Sequence, residues 1–289
     1  MKPIALIVFM FVSVTTLNNH VSAQPISYSG GLNTQTRLAK DTDHLFNGRN
    51  LEGWYTFIKG RGRNHDPENV FKVKDGIIYI SGMEKGCITT DKEYDNYKLI
   101  VEYKWDDDST SNSAANREGV ARDCGVLLNS IGKDGAYSGI WMYSIEVNII
   151  EGGTGDFIVV GNGTDLLSLT ARVAAMKQGS SYIFEPGSDH LATIHGGRIN
   201  WFGRDPEWKN IKGFRGKNDI EKPVGEWNRL ECIVNGGKIS VYLNGILVNQ
   251  AINVKPKKGK IQIQSESSPI LIRRVDLIPL ALHTSAGIL

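Results

Sequence analysis

Three carboxylates crowded into one stretch offer proton chemistry. In Ser144-Ile145-Glu146-Val147-Asn148-Ile149-Ile150-Glu151-Gly152-Gly153-Thr154-Gly155-Asp156, a second Glu follows the first by five residues and an Asp stands just past a glycine turn. A positioned carboxylate that takes or gives a proton in a transition state contributes roughly 10²–10⁴ in rate. Glu146 is the candidate base. Asp123, Glu151 and Asp156 are the candidates for a second proton-handling role. Arg198 and Lys217 are candidates to stabilise developing negative charge, although each cation also reads as ordinary solvated surface.

These groups need elements to hold them. Read with period two, Ile145, Val147 and Ile149 point one way while Ser144, Glu146 and Asn148 point the other. This predicts a half-buried strand, interior to its sheet, with a carboxylate on its polar face. The Gly152-Gly153-Thr154-Gly155 run predicts a sharp turn, since glycine reaches positive φ at little cost. Elsewhere the chain reads as strands and turns. Residues 70–80 form a hairpin about Asp75-Gly76, and 97–105 alternates Leu99, Val101 and Tyr103 against Lys98, Glu102 and Lys104. Residues 124–128 form a buried strand. Segments 227–234, 238–248, 259–265 and 270–280 form a four-strand meander with turns at Asn235-Gly236-Gly237 and Asn244-Gly245. One helical turn is expected around 171–177. Many short strands without a long helix predict an all-β fold, an antiparallel sandwich or jelly roll in one domain.

The expected organisation is a signal peptide over 1–23, a polar leader over 24–42, the folded domain over 43–281 and a tail over 282–289. Lys2, the apolar run 4–14 and Val21-Ser22-Ala23 before Gln24 carry the first of these. The run is too short to span a bilayer as a helix, so a periplasmic or extracellular protein without a membrane anchor is expected. With 289 residues, 40% hydrophobic and a net charge of +2, the chain has no field that calls for nucleic acid. Cys87, Cys124 and Cys232 sit in apolar strands and read as buried free thiols, with one disulfide open as the alternative in an oxidising compartment. No cysteine pair has metal-ligand spacing, and His190 and His195 fall on opposite faces of a strand. Asp106-Asp107-Asp108 is an acidic loop that lacks the EF-hand spacing. No cofactor is expected, and the metal requirement is open.

Several motifs carry a resemblance. Leu45-Phe46-Asn47-Gly48 with Leu51 and Gly53-Trp54 opens it, and Asp75-Gly76, Ile88-Thr89-Thr90, Cys124-Gly125-Val126 and Ser144-Ile145-Glu146 follow. Gly225-Glu226-Trp227-Asn228, Leu243-Asn244-Gly245 and Gln264-Ser265-Glu266 complete it in order. Over about 43–280 the chain resembles the secreted bacterial 3-keto-disaccharide hydrolases, also described as 3-keto-glucoside lyases and 2-hydroxy-glucal hydratases. The resemblance implies a concanavalin A-like jelly roll of two antiparallel sheets, with a small-molecule or oligosaccharide substrate on the concave sheet. Similar chains often carry His at the end of the 125–129 strand and Arg or His before Ser-Ile-Glu; here Asn129 and Tyr143 stand there. Asn148, Asn129, Tyr143, Arg198, Trp201, Lys217 and Asp219 are the substrate-binding candidates. Trp201, Phe202, Trp208 and Phe214 could stack on a sugar ring, or they could be core.

The implied chemistry begins with a ketone at C3 of a glucoside, which acidifies the hydrogen at C2. Proton abstraction, departure of the aglycone from C1 and addition of water give net hydrolysis. Two alternatives share the fold. Glu146-x-Asn148-x-x-Glu151 resembles the Glu-x-Asp-x-x-Glu signature of laminarinase-type retaining glycosidases, which requires a bulge to bring both carboxylates to one face. A non-catalytic lectin-like module needs exposed aromatics and no Glu146.

Overall fold

In a computed structural model, residues 42–106, 119–266 and 268–280 are described. The first strands are β1 (Asp43–His44), β2 (Trp54–Ile58), β3 (Gly62–Arg63), β4 (Phe71–Lys74), β5 (Ile77–Ile80), β6 (Gly86–Thr90) and β7 (Tyr97–Trp105). The middle of the chain holds β8 (Asp123–Ile131), β9 (Tyr143–Ile150), β10 (Phe157–Val160), β11 (Ser168–Arg172), β12 (Tyr182–Ile183), β13 (Leu191–Ile194) and β14 (Gly197–Asn200). Last come β15 (Asn228–Asn235), β16 (Lys238–Leu243), β17 (Ile246–Lys255), β18 (Lys260–Ser265) and β19 (Ile270–Pro279).

These strands make the expected jelly-roll sandwich. One sheet runs β13-β11-β17-β16-β15-β7-β19-β5-β4 with β1 beside β19; the other runs β12-β14-β10-β9-β8-β18-β6-β2-β3. The core lies between them. Ile145, Val147 and Ile149 of β9, Val126 and Leu128 of β8, and Ile261 and Ile263 of β18 face Leu99, Val101 and Tyr103 of β7. Burial of such side chains stabilises by about 1.5–3 kcal/mol each before the entropy of ordering is subtracted. β9 sits inside the second sheet, as its alternation predicts. The hairpin turns behave as their residues dictate: Asp75 and Gly76 have φ of 51° and 76°, and Asn244 and Gly245 have 51° and 86°.

Two expectations are corrected, and one local exception joins them. The C-terminal meander stops at β17, because β18 pairs with β8 and β6 in one sheet while β19 returns between β7 and β5 in the other. Alternation within β18 is the same in either sheet, so its partner is decided by non-local packing. No helix occurs at 171–177: Leu169 and Ala171 are buried in β11, which pairs with β13 and β17, and Val173 bridges Phe184. Finally, β12 pairs with β14 in parallel, a two-residue exception to antiparallel sheets. Residues 1–41, 107–118, 267 and 281–289 lie outside the described residues, and with them the expected signal peptide, nearly all of the polar leader, the tail and Asp107-Asp108.

Candidate active site

Glu146 stands on the face of β9 that looks away from the core. Its cross-strand neighbours are Leu127 on β8 and Ile158 on β10, and its side chain is only 4% exposed. Asn148, two residues on and facing the same way, donates from Nδ2 to Glu146 Oε1 at 3.1 Å. Next to it on β8 lies Gly125, opposite Asn148. A Cβ at 125 would come within 2.4 Å of Gln264 Oε1 and 2.6 Å of Glu146 Oε1, so glycine leaves the gap into which both oxygens point. Gln264, on β18, is 1% exposed.

This setting raises the Glu146 carboxyl well above the ordinary carboxylate range. Burial is the largest cause, and the negative charges of Glu266 and Asp123 add to it. Arg198 opposes the shift, as does the Asn148 hydrogen bond. Arg198 reaches this region from β14, where it pairs with Ile158. Glu266 accepts from Lys85 Nζ at 2.9 Å.

The other two carboxylates of the motif are committed elsewhere. Asp156 is fully buried and accepts from Arg198 Nη1 at 2.9 Å, from Arg204 Nη1, and from the Trp201 N–H at 2.8 Å. Gly155 lets the chain enter this position with φ of 105°, where any Cβ would strike Val248. Glu151 accepts from the Arg122 N–H at 2.9 Å, from Arg122 Nη1 at 2.5 Å and from the Gly213 N–H at 3.0 Å. The indole of Trp208 donates to the Glu151 carbonyl at 2.8 Å, so segment 204–213 seals this end of β9. The register of β8 with β9 is unbroken from Asp123–Ile150 to Leu128–Ile145, so no bulge turns Glu151 towards the face of Glu146. Asp123 is half-buried at the start of β8, and its N–H donates to Ser268 Oγ at 3.2 Å.

Most of the other candidates lie away from Glu146. Tyr143 packs against the core, because it shares the parity of Ile145 and Val147 on β9. Trp201 shares the parity of Ile199 and is buried in the same core, so it offers no stacking face. Asn129 adopts a left-handed φ of 52° where the β8–β9 register shifts, and it donates to the Pro256 carbonyl at 2.7 Å. Lys217 is exposed, with its N–H bonded to Asp205 Oδ2 at 3.0 Å. Asp219 pairs with Arg215 at 2.7 Å and accepts from the Glu221 N–H at 2.9 Å. His195 approaches Asp165 at 3.4 Å, and His190 is exposed directly before β13. All three cysteines are buried free thiols.

Gly125, Gln264 and Glu266 received no role from the residue pattern. Their signal was present all the same: Cys124-Gly125-Val126 and Gln264-Ser265-Glu266 both belong to the motifs of the resemblance, and the fold brings them to Ser144-Ile145-Glu146. Among the described residues no group of three or more His, Cys, Asp or Glu could hold a metal ion. Among them, too, no helix is long and apolar enough to cross a membrane.

Over residues 41–278 the chain matches the 3-keto-alpha-glucoside-1,2-lyase-like domain. It belongs to that family. Membership supports a carbohydrate-active role. Two similar solved structures are from Parabacteroides distasonis ATCC 8503, both with a provisional glycosyl hydrolase assignment. One is 20% identical with a TM-score of 0.46, over 83% of this chain and 99% of that one. The other is 16% identical with a TM-score of 0.49, over 86% and 97%. A β-glucanase of Bacillus licheniformis is 10% identical with a TM-score of 0.42, over 82% and 97%. No curated protein matches the chain.

Proposed function

We propose that this family member cleaves 3-keto-glucosides or 3-keto-disaccharides by elimination and hydration, with Glu146 as the base. The observation that supports this function is a single carboxyl on the non-core face of a central strand, buried and raised in pKa by its surroundings. A carbon acid beside a ketone is weak, and a carboxylate of raised pKa is the stronger base towards it. Glu146 takes the proton from C2. The electron pair passes into the C3 carbonyl as an enolate, for which Arg198 is the nearby cation. The enolate then re-forms the ketone, a C1–C2 double bond appears, and the C1–O bond breaks as the leaving oxygen takes a proton. Asp123, at the start of β8, is the candidate donor. Water adds its oxygen to C1 and a proton to C2, giving the free 3-keto sugar.

The commitment of Glu151 to Arg122 argues against its serving as the second carboxylate of a retaining glycosidase. The test offers the purified protein 3-keto-trehalose or a 3-keto-glucoside beside the parent sugar. Enone absorbance and sugar release with the keto substrate alone are expected. Equal turnover of the parent sugar would refute the proposal.

A further inference from the structure

Two glutamines stand two residues apart on the non-core face of β18, and their side chains have different fates. Gln262 is fully used: Nε2 donates to Thr89 Oγ1 at 2.9 Å and to Cys87 Sγ at 3.2 Å, while Oε1 accepts from the Met142 N–H at 3.1 Å. Gln264 is as deeply buried, yet its Oε1 has no hydrogen-bond partner among the described residues. A buried carbonyl oxygen left in this way is costly and calls for a donor. Its neighbour across the Gly125 gap is Glu146 Oε1, which the same missing Cβ would strike. Two acceptor oxygens that point into one buried gap repel each other unless a proton lies between them.

We propose that Gln264 is a positioning residue for Glu146, its carboxamide oxygen accepting the hydrogen bond of the neutral Glu146 carboxyl across the space left by Gly125. Glu146 supplies the donor that Gln264 lacks, and Gln264 fixes which way the carboxyl points before it reacts. Asn148 holds the carboxyl from its own strand. The charged groups that bear on it from neighbouring elements are Asp123 on β8, Glu266 beyond β18 with Lys85 upon it, and Arg198 on β14, shared with Asp156. None of these changes when Gln264 is replaced, so a shift on replacement reports the clasp. The inference rests on Glu146 being the reacting base only for its meaning in catalysis.

The experiment is an isotope-edited infrared titration of the Glu146 carboxyl without substrate, its band assigned by loss in Glu146→Gln. Gln264→Met keeps the length of the side chain and removes the acceptor. The neutral carboxyl then loses a hydrogen bond, and its midpoint is expected to fall by about one pH unit. A midpoint that stays or rises in a folded Gln264→Met protein overturns the proposal. Should that variant fail to fold, Gln264→Glu reads the same contact: two carboxyls sharing a proton raise the midpoint above wild type, and an unchanged or lower value overturns the proposal. Because no sugar is involved, failure to cleave 3-keto-glucosides leaves this titration decisive, and failure of the titration leaves the cleavage assay untouched.

Discussion

A single methyl group at position 125 would probe the site without replacing any charged residue. The Gly125 backbone is not in the left-handed region, so alanine meets no conformational penalty there. The added Cβ would lie 2.4 Å from Gln264 Oε1, 2.6 Å from Glu146 Oε1 and 3.0 Å from Glu146 Cδ. Carbon contacts settle near 3.5–4.0 Å, so each side chain must retreat by about 1 Å. The atoms struck are the ends of flexible side chains, not backbone, so the sheet should survive at a cost of about 1–3 kcal/mol. A displacement of about 1 Å in a reacting group costs on the order of 10² in rate. Gly125→Ala should therefore fold with a modestly lowered melting temperature and lose about two orders of magnitude in kcat on a 3-keto-glucoside. Circular dichroism melts with single-turnover kinetics separate the two effects. A stably folded variant with wild-type kcat would refute the placement of the chemistry at this gap.

Glu146→Gln keeps shape and hydrogen bonding but removes the base, so turnover should fall by about 10²–10⁴ with the fold intact; near-normal activity would refute the assignment. Glu151→Gln, in contrast, removes the buried carboxylate that Arg122 and two backbone N–H groups meet, and denaturant melts should show a loss of about 3–5 kcal/mol while turnover per folded molecule stays close to wild type. Because burial raises the Glu146 carboxyl, kcat should climb with pH well beyond the ordinary carboxylate range before levelling off; a profile complete near pH 5 would contradict this. Glu221 is buried beneath the Tyr103 hydroxyl and Trp105 indole, and burial pushes its pKa from 4.5 to about 8. The folded state then holds a proton that the unfolded state releases between these values, so stability should decline from about pH 4.5 to 8 and level off above. Glu221→Gln should remove that slope, worth on the order of 5 kcal/mol from this group, as urea melts across the window would show. Intact-mass measurement of the exported protein should find Gln24 at the N-terminus.

Local chemistry in the chain was enough for many of the strands and their turns, though not for β11, where 171–177 reads as a helical turn. Period-two alternation marks Tyr97–Trp105 and the core face of Tyr143–Ile150, and Asp75-Gly76 and Asn244-Gly245 specify tight turns through residues that accept positive φ. The same alternation already places Tyr143 and Trp201 on core faces, since each shares parity with a buried isoleucine. Which strand neighbours which was beyond its reach. Lys260–Ser265 carries Ile261 and Ile263 on one face and two glutamines on the other, a pattern equally at home in either sheet, and only packing across the sandwich sends it to β8 and β6. That choice makes the site. It sets Gln264 beside Gly125 and Glu146, residues 118 or more positions away in the chain, and buries a carboxyl that the sequence shows only as one polar residue on a strand. The fates of Glu151 and Asp156 were decided in the same way. Each looks like a free acid in the sequence, and each is captured by an arginine brought in from a distant segment, because a buried carboxylate persists only where a cation and backbone N–H groups meet it.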